Sequence, residues 1–412
     1  MNRRTYLAAA ASAAGLGLAG CTDSPALDDD AGNGDGSSPP ASDPPADLPD
    51  AAGTVDDFED LEAWTVAGGT LTADPDRAAV GSQSARLTVG ETEQMARLTK
   101  TFADPRDLTD VVPGVAVAAD ELVVPWLRLV DDEGAAIEYR RGIVGDLPLD
   151  RYNFGVSEID PAFDAANVRT VSLRLWTAEG ERRTVWFDDL HFTPRPETGQ
   201  VMIQFDDAHV TDYTEALPRL ESYDYPATTF VNSGYIGGGD VGGDPRLTVD
   251  QLRELRDAGW CVANHAKNHP KLPELDADEQ ESQIRAGKEW LVERGFEDGA
   301  DYFAYPFGQY DATSIELVDE YHSIGFGGGP PAQGYTTNTK LASRIGNPSA
   351  ERVRTALEHT VERRGITGLF FHRLEDDHLE AFETMIETIR EYESKGKLEV
   401  ILPRDLEERF LF

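Results

Sequence analysis

Residues 200–207 read QVMIQFDD. Apolar and β-prone residues run up to two adjacent carboxylates, Asp206 and Asp207, with Ala208 and His209 behind them. Successive side chains of a strand point to opposite faces, so the two aspartates reach one cleft only if the strand stops there and the chain turns. Such stops are expected at the carboxyl ends of buried parallel strands, where α/β enzymes keep their polar chemistry. In so acidic a chain a solvated Asp-Asp pair is the ordinary alternative. What separates the two readings lies downstream, in residues 264–270 (NHAKNHP) and 368–372 (GLFFH).

From Gln200 onward strands and helices alternate. VMIQF precedes a helix over 211–222 and a strand over 227–231. A helix over 248–258 follows, with Val249, Leu252 and Leu255 on one side and Gly259 as its stop. The series continues with strand 260–263, helix 278–294, strand 302–304, helix 313–321, strand 343–345, helix 349–364 and strand 369–372. A helix carrying Leu379, Phe382, Ile386 and Ile389 leads to a last strand over 398–402. About seven β/α units in a row predict a barrel-like parallel sheet. Asp206, Asp207, His265, His269, the turn Tyr305-Pro306-Phe307-Gly308 and His372 all follow predicted strands, which gathers them at one barrel face. Two histidines four apart, in one helical turn, put both imidazoles on one side. With one carboxylate added, a divalent metal has three protein ligands and positions left for water and substrate.

Upstream, residues 54–195 show short alternating runs. Ala85, Leu87 and Val89 oppose Ser84, Arg86 and Thr88, and Val171, Leu173 and Leu175 oppose Ser172, Arg174 and Trp176. Gly, Pro and Asp separate the runs without a long helical period, so the segment is expected to be an antiparallel β-sandwich. Its opening (VDDFED, with Trp64) and its closing strand (VWFDDLHF) resemble the first and last strands of jelly-roll carbohydrate-binding modules. Trp64, Trp126, Tyr139, Trp176 and Trp186 are then candidates to stack on sugar rings, although a sandwich tryptophan is more often core. Asp56, Asp57, Asp188 and Asp189 are candidates for a structural calcium.

Composition frames these parts. The 412 residues carry a net charge of −39, and only seven of the 37 basic residues are Lys. Residues 22–53 hold eight Asp and no Lys or Arg. Most of the acidity therefore belongs to the folded part, as on a halophile's surface, where the Debye length falls to roughly 3 Å at 1 M salt. Nucleic acid is disfavoured as a partner, because phosphate contact needs basic excess. Residues 1–21 combine Arg3-Arg4 with a short apolar stretch and Leu18-Ala19-Gly20-Cys21. They resemble a twin-arginine signal with a lipobox that leaves Cys21 as the lipidated residue. Residues 22–53 read as a disordered tether, 54–195 as the sandwich and 199–412 as the barrel. The expected location is extracytoplasmic, with a lipid anchor as the only membrane contact and a monomeric chain. Cys261 reads as a small core hydrophobe, so no disulfide framework is expected.

Taken together, Phe205-Asp206-Asp207, the histidine pair, Pro306-Phe307-Gly308 and Leu369-Phe370-Phe371-His372 resemble the motifs of the NodB-type polysaccharide deacetylases, family four of the carbohydrate esterases. The resemblance covers about residues 200–402. It implies a distorted (β/α) barrel that removes acetyl groups from an acetylated polysaccharide or cell-surface glycan, most simply N-acetyl from an N-acetylglucosamine polymer. Carried over, Asp207, His265 and His269 hold one divalent metal, with zinc first and cobalt, nickel or iron as alternatives. Asp206 is the general base toward a metal-bound water, His372 the general acid, and the Phe307 backbone N–H an oxyanion donor. Tyr305, Pro306, Leu369, Phe370 and Arg344 are the expected substrate-binding residues. The chain departs from the family at Ala266, Ala208 and His209. It has Ala304 where an Arg commonly precedes the Pro turn, which leaves Arg344 as a substitute, and it lacks a D-x-x-D-Trp run before His372. The rival readings are a non-haem iron oxygenase and a non-catalytic surface glycan-binding lipoprotein with a decayed barrel.

Overall fold

The structure, a computed structural model, describes residues 48–237, 240–241 and 244–412. The twin-arginine stretch, Cys21 and the linker through residue 47 lie outside the described residues.

The N-terminal strands form two six-stranded antiparallel sheets. The first runs Thr70–Asp74, Ser84–Val89, Arg183–Pro194, Val111–Ala119, Asp150–Asn153, with Gly53–Asp56 added to Arg183–Pro194, so the first and last strands are neighbours. The second runs Gly155–Ile159, Ala136–Arg140, Trp126–Asp131, Val168–Trp176, Met95–Arg106, Thr65–Ala67. Alternation sets the faces. Leu127, Leu129, Leu173 and Leu175 point into a core shared with Val115, Val117, Val185 and Phe187 of the other sheet, while Arg128 and Arg174 point outward. Trp64 and Tyr139 lie in that core, which removes them as sugar platforms. Trp186 is buried under the Arg77 guanidinium and donates to Asp74, whereas Trp176 is 54% exposed.

The four calcium candidates do not converge. Asp56 accepts from Phe58 N and Trp64 Nε1 and pairs with Lys100; Asp188 accepts from the backbone of Ala79, Val80 and Asp189. Asp189 accepts from Thr54 and pairs with Arg151, and Asp57 accepts from Glu59 N at the surface. Donors of the protein itself occupy the places a cation would need, so the calcium expectation is withdrawn.

The C-terminal part is a curled parallel sheet in the order Ile324–Phe326, Tyr302–Ala304, Cys261–Asn264, Thr228–Val231, Gly199–Asp206, Ile366–Phe371, Ile345–Gly346, with Leu398–Val400 against the start of Gly199–Asp206. Period two explains QVMIQFDD. Val201, Ile203 and Phe205 face the helices Ala350–Glu362 and Asp376–Glu393, and Phe205 packs on Trp260 and Phe382. Met202 faces inward, and Asp206 is two registers further on that inner side. Sequence periodicity misses the short helix Glu297–Ala300, the strand pair Asp240–Val241 and Asp244–Pro245, and two elements that bear on the core. One is the strand Ile324–Phe326; the other is the helix Pro403–Arg409, whose Leu406 and the following Phe410 pack against Met202, Phe230 and Ile324 on the concave side. The helix expected over 211–222 opens as a π-turn at Asp212–Ala216 and is α-helical only over Leu217–Glu221. The expected strand 343–345 is confined to Ile345–Gly346.

Sandwich and sheet belong to one compact unit. Tyr152 and Phe154 share a core with Phe303, Tyr305, Tyr310 and Leu341. Backbone and side-chain bonds clamp the segment after Phe326 onto the sandwich: Val156 N donates to Pro331 O, Asn153 Nδ2 to Tyr335 O, and Arg141 Nη2 to Leu341 O.

Candidate active site

Each site residue sits where a strand of the curled sheet ends. The strand Gly199–Asp206 stops at its first aspartate, and Asp207 and Ala208 take φ of +76° and +50°. That reversal answers the period-two conflict, since an extended Asp207 would point at the helices. Left-handed backbone recurs at Ala266, His269, Phe307 and Asn347, all non-glycine. Strain of this kind costs on the order of 1–3 kcal/mol per residue and is held only where the surroundings enforce it.

His265 and His269 are brought together by a loop and not by the helical turn their spacing suggested. Cys261–Asn264 is the strand, and the positive φ at 266 and 269 folds the loop back until the two rings lie 4.9 Å apart. Asn264, which no sequence pattern marks, fixes that loop. Its Oδ1 accepts from Ala266 N and its Nδ2 donates to Ile284 O. His265 Nδ1 donates to Ala304 O at 2.6 Å, which leaves Nε2 as a lone pair.

Three unpaired donor atoms converge. Asp207 Oδ1 lies 3.4 Å from His269 Nε2 and 3.7 Å from His265 Nε2, and all three are buried without a hydrogen-bond partner. Among the described residues this is the group of His, Cys, Asp or Glu side chains whose donor atoms fall within 4.8 Å of one another. Ligands bonded at about 2.0–2.2 Å around a tetrahedral cation stand roughly 3.4 Å apart, so the set fits a divalent metal. Burial first, then the neighbouring His265, pushes His269 down to about 4, so it is neutral near pH 7. Arg246, another residue not foreseen, anchors the turn by donating to Asp207 O at 2.7 Å.

Asp206 stands beside this group, with Oδ2 3.7 Å from His265 Nε2. Arg344 Nη1 and Nη2 donate to its two oxygens at 2.7 Å each. Burial would raise the Asp206 carboxyl, but Arg344 and then His265 outweigh it and bring it down to about 2. Gly368 permits the approach, since a Cβ there would meet Arg344 Cβ at 2.9 Å.

His372 follows the strand Ile366–Phe371 and leans on Asn347. Its backbone N–H donates to Asn347 Oδ1 at 3.2 Å, which fixes the carboxamide; Asn347 Nδ2 therefore donates to His372 Nδ1 at 2.8 Å. An Nδ1 that accepts places the proton of the neutral ring on Nε2. Burial lowers the His372 value, and Asp206 and Asp207 only partly offset it.

The substrate-binding expectations divide. Phe370 lies 5.4 Å from the His372 ring and is partly exposed. Phe307 is 51% exposed and 4.3 Å from His269, so it rims the cleft. Leu369 points the other way, into the helix-side core, because it alternates with Phe370. Tyr305 is wholly buried against Phe303 and Tyr310, and Pro306 is buried beside it. Arg344 is 4% exposed and spends its fork on Asp206, so it is a partner of that carboxylate and not a contact for a ligand. Asp212, also unforeseen, is buried with Oδ2 accepting from Thr229, and burial raises it well above the ordinary carboxylate range.

Fold and site thus define an α/β protein with an Asp-His-His pocket at the strand ends and a clamped aspartate and an anchored histidine beside it. Residues 193–323 match the polysaccharide deacetylase family. The YxkH protein of Bacillus subtilis (strain 168), whose polysaccharide deacetylase name is itself provisional, is 27% identical over 187 residues, 42% of this chain and 62% of that protein. A poly-beta-1,6-N-acetyl-D-glucosamine N-deacetylase of Staphylococcus aureus (strain MSSA476) is 25% identical over 129 residues, 29% of this chain and 43% of that protein. The chain therefore spans less than two thirds of these curated relatives. A family 4 carbohydrate esterase from Streptomyces lividans, solved with acetate, is 20% identical and superposes with a TM-score of 0.37 over 50% of this chain and 92% of that one.

Proposed function

We propose that the chain is a polysaccharide deacetylase that hydrolyses the acetyl amide of an N-acetylglucosamine-containing glycan. The observation that carries this reading is the convergence of three buried, unpartnered donor atoms next to a carboxylate whose ionised state is locked by Arg344. Asp207, His265 and His269 would hold one divalent cation, zinc first, which would supply Lewis-acid polarisation of the acyl oxygen. Asp206 accepts a proton from the attacking water. Each of its oxygens keeps a lone-pair site beyond the Arg344 bond, so the clamp orients the base without using it up. His372 delivers a proton to the departing nitrogen, without which the leaving group would be an amide anion. The Phe307 backbone N–H, on its strained turn, helps to hold the oxyanion; a donor of this type is worth roughly 2.7–4 kcal/mol. Phe370 closes the apolar side of the cleft toward the acetyl methyl.

The N-terminal sandwich is read as a jelly-roll, carbohydrate-binding-like module, and the whole as an exported lipoprotein tethered through Cys21 by the acidic linker. Acetate release from poly-N-acetylglucosamine, measured in high salt with and without added zinc, tests the reaction. Zinc-dependent release, absent with the same polymer after chemical de-N-acetylation, is the expected result. Release from O-acetylated xylan alone would replace amide by ester hydrolysis, and release from neither substrate would remove the assignment.

A further inference from the structure

The outer face of the second sandwich sheet carries an unusual charge for this chain. Cross-strand register lines up Arg97, Arg174, Trp126 and Arg140 in one row, and Thr99, Ser172, Arg128 and Glu138 in the next. Paired residues in an antiparallel sheet share a face, and strands lie roughly 4.8 Å apart, so the four arginines spread over about 15 Å. The opposite face of the same strands is core, as Leu98, Leu127, Leu173 and Tyr139 show. Trp176 adds an exposed indole one step beyond Arg174. Glu138 serves two of the arginines, at 3.4 Å from Arg128 Nε and 3.3 Å from Arg174 Nη1. The 3.4 Å approach lacks hydrogen-bond geometry, so Arg128 Nε has no hydrogen-bond partner. Glu158, on the edge strand, is the other carboxylate in these rows. In a chain with twice as many acids as bases, four arginines around two indoles on one open sheet are a concentration that solubility does not require.

We propose that this face binds a polysaccharide bearing carboxylate or sulfate groups, with Arg97, Arg128, Arg140 and Arg174 gripping the anions and the exposed Trp176 stacking on sugar rings. Guanidinium forks match carboxylate and sulfate geometry, and direct contact of this kind persists where salt has screened long-range attraction. A densely charged nucleic acid is the poorer occupant, because the acidic remainder of the chain repels it. The site is separate from the hydrolytic cleft and stands whether or not acetate is released.

Polygalacturonate carries no acetyl group, and with EDTA present no cation at Asp207, His265 and His269 can take its carboxylates, so its binding to the chain reads this face. In 1 M KCl the chain is expected to bind polygalacturonate and not neutral dextran. Arg97→Gln with Arg140→Gln is expected to weaken binding at least tenfold at an unchanged melting temperature, and the corresponding Lys pair to fall in between. Arg97→Gln alone, at an exposed position, gives a reduced affinity even if the double variant fails to fold. Equal retention of dextran, unchanged affinity in these variants, no binding at all, or equally tight binding of oligodeoxythymidylate would each overturn the proposal.

Discussion

Arg344 and Asp206 are 138 residues apart in sequence and meet through two parallel 2.7 Å hydrogen bonds, both side chains buried. A bidentate pair of this kind sets charge and orientation of the carboxylate together. Removing one partner strands the other as an uncompensated buried charge, which typically costs about 3–5 kcal/mol. Arg344→Gln is therefore expected to lose stability of that order in urea unfolding at pH 7, and Arg344→Lys to recover part of it. The same pair gives an acid limit. The folded Asp206 value is depressed to about 2, so its contribution is complete above the unfolded value near 3.9 and is lost as pH falls toward 2. Unfolding midpoints of the wild type below pH 4 should fall more steeply than those of Asp206→Asn.

His269 sets a second window. Its folded value lies near 4, against an ordinary 6.5, so the unfolded chain takes up a proton first as pH drops. Stability without cation should decline from about pH 6.5 to about 4, and His269→Gln should flatten that stretch of the curve. Cation binding should be lost as pH falls through the His269 value near 4, as calorimetric titration with zinc would show.

Asn347 governs His372. A carboxamide that gives its oxygen to the His372 backbone has only an N–H to offer Nδ1, which opposes the imidazolium. With burial acting in the same direction, the rate of acetate release should fall as pH rises through a His372 value below 6.5. Asn347→Asp places a carboxylate against Nδ1, keeps an acceptor for the backbone N–H, and should move that limb upward by about one unit. Imidazole nitrogen shifts in the NMR spectrum should report Nε2–H in the wild type and a doubly protonated ring over a wider pH range in the variant.

Arg141 ties the sandwich to the barrel. It is buried, donates to Leu341 O at 2.8 Å and also to Ser343, the residue before Arg344. Arg141→Met should cost about 1–3 kcal/mol and lower kcat more than it raises KM, because the loss reaches Asp206 through Arg344. Thermal unfolding of the wild type should remain a single transition, as expected of two halves that share one core.

Much of this was legible in the sequence, for reasons that local patterns carry. QVMIQFDD and GLFFH announced buried strands ending in polar groups, and they do end there. Period alone could not place single faces at the ends of those strands: Leu369 and Tyr305 turned inward because alternation continues through GLFFH and because the Pro turn packs on a tyrosine cluster. The histidine spacing suggested a helix where positive φ at Ala266 and His269 folds a loop, a conformation that non-glycine residues do not advertise. Arg246, Asn264 and Asn347 act through backbone atoms or a single amide, and nothing in their neighbours marks them. Arg344 was visible as a candidate, but its partner depends on how the segment after Phe326 is clamped to the sandwich.

Asp207, His265 and His269 are expected to bind one cation together. Anomalous diffraction at the zinc edge, from crystals of the intact chain equilibrated with zinc, tests it most directly. A single strong peak about 2.0–2.2 Å from Asp207 Oδ1, His265 Nε2 and His269 Nε2, lost in Asp207→Ala, is the predicted result. A peak bonded elsewhere, or none at saturating zinc, would mean that these three residues do not form a cation site.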